Sequence, residues 1–283
     1  MNIRLIATDM DGTLLNNDHT INPAAKKKLI QAQERGIHIV LISGRDSHSL
    51  MPYAKELEMD RHPGNYLSCL NGLVLYDLDT QQEQRLENLK LPAIETVLQY
   101  GKKHHYNCII FREHDFLNYL SRTELFLRKI KSILTGHSIR EGFEGNMRET
   151  RFLHDFVYPD DQPINKMVFC RHQPFRATEI KQIQTDLDGI VEVMLVGANW
   201  IEMMPPGVNK GRAIKEIAKR KHLGMDEIMA FGDAQNDISM MEAVKYGICM
   251  QNGMPETKEK AYAITDTNEN DGIAKAIEQY LHF

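Results

Sequence analysis

The segment Ile3-Arg4-Leu5-Ile6-Ala7-Thr8 reads as a largely buried strand, and it stops at Asp9-Met10-Asp11-Gly12-Thr13, where two acids and a glycine favour a turn. This grammar, an apolar strand ending in a polar loop and followed by a helix, recurs along the chain and constrains its fold more than any other feature. A helix starts with Asn22 as N-cap and Pro23 at its first position, runs through Leu29-Ile30 and stops at Gly36. Ile37 to Ile42 is the next strand, ending in Ser43-Gly44-Arg45; Tyr66 to Leu70 is a third, running into Asn71-Gly72, and Leu73 to Tyr76 is a fourth. Near the C-terminus the pattern returns as a helix from Lys210 to about Arg220, a strand Ile228 to Phe231, a helix near Asp237 to Val244, a strand Gly247 to Met250 and a helix Gly272 to Leu281. Strands and helices alternating at this spacing predict an α/β fold on a parallel sheet with right-handed crossovers.

Between roughly Glu83 and Val191 the pattern changes. Short strands come in pairs, as at Cys108 to Arg112 and Asp115 to Leu120, with helices such as Thr123 to Leu134 and Arg176 to Leu187. An α+β segment therefore interrupts two αβ halves, and 283 residues, at about 150 per domain, accommodate both. With 34 Lys+Arg against 39 Asp+Glu, the net charge of -5 gives no electrostatic reason to expect a nucleic-acid partner. No apolar stretch approaches the ~20 residues of a membrane span, and acids follow the first strand too soon for a secretory leader. The expectation is a soluble, cytoplasmic protein. Cys69, Cys108, Cys170 and Cys249 are far apart inside apolar segments, which reads as buried thiols rather than a zinc or disulfide framework.

The chemistry concentrates at strand ends. If the first strand continues through Asp9 and Asp11, their side chains project to the same side and both reach one substrate atom. In phosphoryl transfer one such carboxylate attacks phosphorus while the other protonates the leaving oxygen and later activates water; the same residues also fit a plain Asp-Gly turn with exposed acids. Gly232-Asp233-Ala234-Gln235-Asn236-Asp237 follows the strand Ile228 to Phe231 and brings two more acids, spaced i and i+4. Hard Mg²⁺ suits them, although helix capping by Asp233 or Asn236 is the alternative. Ser43 stands where its hydroxyl and nearby backbone N–H groups could hold phosphate oxygens or cap a helix. Lys210 opens a helix after a Pro-Gly turn and either neutralises phosphate or is an ordinary surface lysine. All of these sit in strand-loop-helix settings, and a parallel sheet gathers its strand ends at one crevice.

The ordered set Asp9-Met10-Asp11-Gly12-Thr13, Ser43, Lys210 and Gly232-Asp233-x-x-Asn236-Asp237 resembles the haloacid dehalogenase (HAD) superfamily of phosphatases. Asn71-Gly72 before a long insert, Gly207-Val208-Asn209-Lys210-Gly211 and Asn270-Asp271-Gly272-Ile273 are similar to its Cof-type, sugar-phosphatase-like branch. The resemblance implies a Rossmann-like, parallel-sheet catalytic core over residues 1–82 and 192–283, with an α+β cap over 83–191 that sets substrate specificity. It implies Asp9 as nucleophile and Mg²⁺ ligand, and Asp11 as general acid/base that lends its backbone carbonyl to the metal. Asp233 completes the protein ligands and Asp237 supports the metal's waters. Ser43 and Lys210 hold the transferring phosphoryl group, Asn236 binds phosphate or orients Lys210, and Gly44, Arg45 and Asn71 lie nearer the leaving group. Ala234 departs from the family, in which asparagine or another small polar residue is frequent there.

The function so implied is a Mg²⁺-dependent phosphatase acting on a small phosphorylated metabolite, a sugar phosphate first and a cofactor phosphate second, with neither nucleic acid nor membrane as partner. A phosphomutase is the enzymatic alternative and a phosphometabolite-sensing regulator the non-enzymatic one. Time-resolved release of free phosphate separates them.

Overall fold

The computed structural model describes residues 1–112, 115–120, 122–135, 150–153 and 155–283. The chain divides into two units, Met1–Leu86 with Gly207–Phe283, and Glu87–Pro206. The first unit begins with β1 (Leu5–Thr8), α1 (Pro23–Glu34), β2 (His38–Ile42), α2 (Ser47–Glu56), β3 (Tyr66–Cys69), β4 (Val74–Asp77) and β5 (Gln82–Arg85). The second unit contains α3 (Leu91–Lys103), β6 (Asn107–Arg112), β7 (Phe116–Tyr119), α4 (Arg122–Thr135), β8 (Thr150–Leu153), β9 (Ile164–Cys170), α5 (Ala177–Asp186), β10 (Glu192–Gly197) and β11 (Trp200–Met204). The chain then returns to the first unit through α6 (Lys210–Lys221), β12 (Ile228–Gly232), α7 (Ile238–Ala243), β13 (Tyr246–Cys249), α8 (Pro255–Lys260), β14 (Ala263–Ile264) and α9 (Gly272–Leu281).

In the first unit eight strands form one sheet in the order β14-β13-β12-β1-β2-β3-β4-β5. From β14 to β3 every pairing is parallel, and β4 and β5 add an antiparallel edge. All four residues of β1 are buried, as a strand covered on both faces requires. On one face Leu5, Ala7, Val40 and Ile42 meet Ala213, Ile214, Ile217 and Ala218 of α6. Helix α1 starts where its sequence signals placed it: the Asn22 side chain accepts from Ala24 N at 3.0 Å and Pro23 is the first helical residue. Strand β1 has β2 on one side and β12 on the other, so strand order reverses there. The loops after β1 and β12 therefore face each other across the crevice where open α/β sheets bind ligands.

In the second unit six strands run in the order β10-β11-β9-β6-β7-β8. Cys108, Ile110, Tyr119, Met167 and Phe169 face a core that includes Ile94, Val97 and Leu98 of α3 and Ile183 of α5. The boundaries differ from those expected at 82/83 and 191/192. Residues 83–85 finish β5, which pairs with β4, and residues 192–206 hold β10 and β11, which pair through β9 with the second sheet. Strand pairing, invisible in composition, moves each boundary later in the chain. Of the four cysteines, three are buried and Cys170 is partly exposed.

Helices α6 and α7 approach closely at Gly211. A Cβ added there would lie 2.1 Å from the Ser239 carbonyl oxygen, and Gly211 N already donates to Ser239 Oγ at 3.2 Å. Gly211→Ala should therefore force the helices apart and cost about 1–3 kcal/mol, read as a lower urea midpoint at unchanged slope; an unshifted midpoint would show that the contact is not tight.

Candidate active site

The first acid after β1 is fixed by the sheet. Asp9 N donates to Phe231 O at 3.0 Å, extending the β1–β12 ladder by one residue, and its side chain is only 7% exposed as a residue. Opposite it stands Lys210, the first residue of α6, whose start is capped by the Asn209 side chain accepting from Arg212 N at 2.9 Å. Lys210 is fully buried, and its Nζ lies 2.5 Å from Asp9 Oδ1 and 2.5 Å from Asp237 Oδ1. Burial alone would strip the charge from an amine, but the two carboxylates overcome it and hold Lys210 protonated to well above its ordinary range. The surface-lysine alternative is thereby excluded.

Asp237 is occupied twice over. While Oδ1 meets Lys210, Oδ2 accepts from Asp233 N at 2.9 Å and Ala234 N at 3.0 Å, so this wholly buried carboxylate both anchors the lysine and shapes the loop after β12. A short 3₁₀ turn, Gln235–Asp237, separates that loop from α7, and the backbone N–H at its start is met by Asp237, not by Asp233 or Asn236. The capping alternative for Asp233 and Asn236 thus fails. Thr13 Oγ1 donates to Asp233 Oδ1 at 2.7 Å, and Gly12 has φ +79°, with Asp233 Oδ2 only 2.6 Å from where a Cβ would stand. A left-handed turn without a side chain lets the two loops meet.

Carboxylate oxygens of Asp9, Asp233 and Asp237 all lie within 4.8 Å of one another. Burial, and then the neighbouring negative charges, push the Asp9 carboxyl up despite Lys210. Burial likewise raises Asp233 to about 6, with the Thr13 bond opposing it. Three crowded carboxylates against one ammonium are short of positive charge, and an all-oxygen donor set is what a hard divalent cation such as Mg²⁺ selects. The residues present fit that ion.

Asp11 behaves differently from expectation. The strand ends at Thr8, so alternation does not carry through to Asp11; its side chain is 53% exposed and is engaged by Arg45, whose Nε donates to Oδ2 at 3.1 Å while Nη2 pairs with Oδ1. Its carboxylate is not one of the three that make up the acidic cluster.

The remaining candidates sit on the loops after β2 and β3. Ser43 N donates to Ser68 O at 2.9 Å, Ser43 Oγ accepts from Arg45 N at 3.2 Å, and Asn71 N donates to Ser43 O at 2.8 Å. The cap of α2 is Asp46, accepting from Ser49 N, so Ser43 is not a capping serine. Gly44 lies against the Asn71 amide. Asn71, buried at φ +54°, accepts on Oδ1 from Asn236 Nδ2 at 3.1 Å, which links the β3 and β12 loops. Sequence reasoning missed the braces. Besides Thr13, Asn252 Nδ2 donates to Gly12 O at 2.7 Å, Thr257 Oγ1 to Ala234 O at 2.9 Å, and Met254 N to Asp233 O at 2.8 Å. Thr13 belongs to the first motif and was findable; Asn252 and Thr257 carry no local signal.

Residues 6–277 match the family model described as haloacid dehalogenase-like hydrolase. A 5-amino-6-(5-phospho-D-ribitylamino)uracil phosphatase of Bacillus subtilis is 26% identical over 99% of this chain and 97% of its own. An HMP-PP phosphatase of Serratia proteamaculans is 29% identical over 90% of this chain and 86% of its own. Among solved structures, a HAD subclass IIB sugar phosphatase superposes with TM-score 0.77 at 19% identity, over 99% of this chain and 100% of that one.

The two loop acids should separate in stability measurements. Asp237→Ala leaves Lys210 and two backbone N–H groups short of a buried acceptor and should cost about 3–5 kcal/mol without any metal. Asp233→Asn keeps an acceptor for Thr13 and removes a like charge, so thermal unfolding of the metal-free protein should be unchanged or shifted upward, while the stabilisation by added Mg²⁺ disappears.

Proposed function

The chain belongs to the haloacid dehalogenase-like hydrolases, and from that membership we propose that it is a phosphatase cleaving phosphomonoesters of small metabolites, carbohydrate phosphates foremost, with Mg²⁺ and through an aspartyl-phosphate on Asp9. The observation that carries this reading is the buried Asp9–Lys210–Asp237 contact with Asp233 beside it, at the carboxyl ends of β1 and β12. The names of the two curated relatives, both phosphatases of small phosphorylated compounds, and the sugar phosphatase among the structural neighbours support the substrate class.

Asp9 Oδ attacks phosphorus, the bond to the ester oxygen breaks, and Asp11 supplies the proton that the departing alkoxide needs. Water then attacks the same phosphorus, Asp11 takes its proton, and the Asp9 carboxylate leaves as phosphate is freed. Lys210, fixed on Asp9, and the Ser43 hydroxyl stand to pair with the non-bridging phosphoryl oxygens, where charge is spread in the transition state. Asp9 and Asp233, with the Asp11 carbonyl, would hold the cation, while Asp237 fixes Lys210 and the loop that carries Asp233. When bound, Mg²⁺ neutralises the phosphate so that an anionic nucleophile can approach it. Asn71 and Asn236, bonded to each other, form a polar wall, and the second unit is assigned the choice of leaving group.

Asp9→Asn should lower phosphate release from a metabolite panel by about 10³ or more, and excess chelator should match that loss until Mg²⁺ is restored. Rapid quench with labelled substrate should place label on Asp9. Wild-type turnover by Asp9→Asn, or label on another residue, would refute the covalent route.

A further inference from the structure

The carboxylate of Asp11 is held in a closed ring of contacts that the reaction above does not use. Arg45 clasps both its oxygens, and His19 Nδ1 lies 3.5 Å from Oδ1. Arg45 Nη1 donates to Tyr53 Oη at 3.4 Å with the guanidinium 5.7 Å from the Tyr53 ring centre, and Tyr53 Oη donates to the His19 carbonyl oxygen at 3.3 Å. Arg45 is fixed at its root, where its N–H donates to Ser43 Oγ and its carbonyl accepts from Leu70 N at 2.9 Å. Its tip is accessible: the side chain is 27% exposed, and that of Asp11 53%.

Arg45 spans both oxygens of Asp11, so a leaving group that comes up to this carboxyl meets the guanidinium as well. The planar fork of arginine matches a carboxylate or phosphate in the same two-pronged way. An incoming anion can therefore take Arg45 while Asp11 is let go, one pair replacing another, whereas a neutral group leaves both charges without a partner. We propose that the preferred substrates are phosphomonoesters whose leaving group carries a second anionic group, carboxylate or phosphate, which draws Arg45 off Asp11 and so frees it. Tyr53 and His19 act as positioning residues, tying Arg45 to the 16–21 loop in the resting arrangement. The proposal rests on the phosphatase reading above and narrows its substrates.

Matched esters test it. With Mg²⁺, kcat/KM is compared for 3-phosphoglycerate against glycerol 3-phosphate, which differ in carboxylate against hydroxymethyl, and for fructose 1,6-bisphosphate against fructose 1-phosphate. In the wild type at least one charged ester should be preferred by about tenfold or more, as a charge-assisted pair implies, and the pair showing it identifies the anion. Arg45→Gln should bring that ratio close to one. Tyr53→Phe, which loosens Arg45, should lower the ratio. Equal kcat/KM within both pairs, or a preference that survives Arg45→Gln, overturns the proposal while hydrolysis of p-nitrophenyl phosphate upholds the phosphatase reading. Failure to hydrolyse any of the five esters overturns both.

Discussion

One buried ammonium organises the crevice. Lys210 touches Asp9 at the end of β1 and Asp237 after β12, and it does so from the first residue of α6, so three elements remote in sequence are held at a single atom. A lysine shut away from water is tolerated only when its charge is answered, and here each carboxylate that answers it has a further duty. Asp237 turns the loop that presents Asp233, while Asp9 is also a member of the acidic cluster. The geometry of the candidate site follows from satisfying this one cation.

The same arithmetic leaves the site under-compensated. Asp9 and Asp233 are both pushed toward protonation, first by burial and then by neighbouring carboxylates, Asp237 among them in each case. A fold selected for stability alone would have little reason to gather three acids around one lysine. Local rules are commonly broken where function requires it; here the gathered acids could hold a metal ion. Thr13, Asn252 and Thr257 brace the backbone and side chains of the two loops and keep the acids from spreading apart.

Much of this was readable in the sequence because parallel strands buried on both faces appear as unbroken apolar runs, and each run here ends in residues that suit a loop. Leu5–Thr8 and Ile228–Gly232 announced themselves, and with them the positions of Asp9 and Asp233. Asp11 was harder. Its direction depends on where β1 stops, which alternation does not encode. The double occupation of Asp237, and the contributions of Asn252 and Thr257, arise from contacts between distant segments. The sequence places the second boundary at 191/192 and contact within the structure places it at 206/207, because β10 and β11 look like any strand pair until their partner, β9, is known.

The strand order also has a temporal consequence. Strand β1 lies between β2, which follows within a few dozen residues, and β12, its neighbour across more than two hundred; Thr13 and Asp233 are separated by 220 positions. Glu87–Pro206 is by contrast one uninterrupted stretch. As a ribosome delivers the chain from its N-terminus, the central strand waits with one edge bare while the whole inserted unit emerges and can fold as a body. The closing of that edge by β12, and with it the assembly of the crevice, comes only after the inserted unit has been made, and until then the unpaired strand is exposed to other chains.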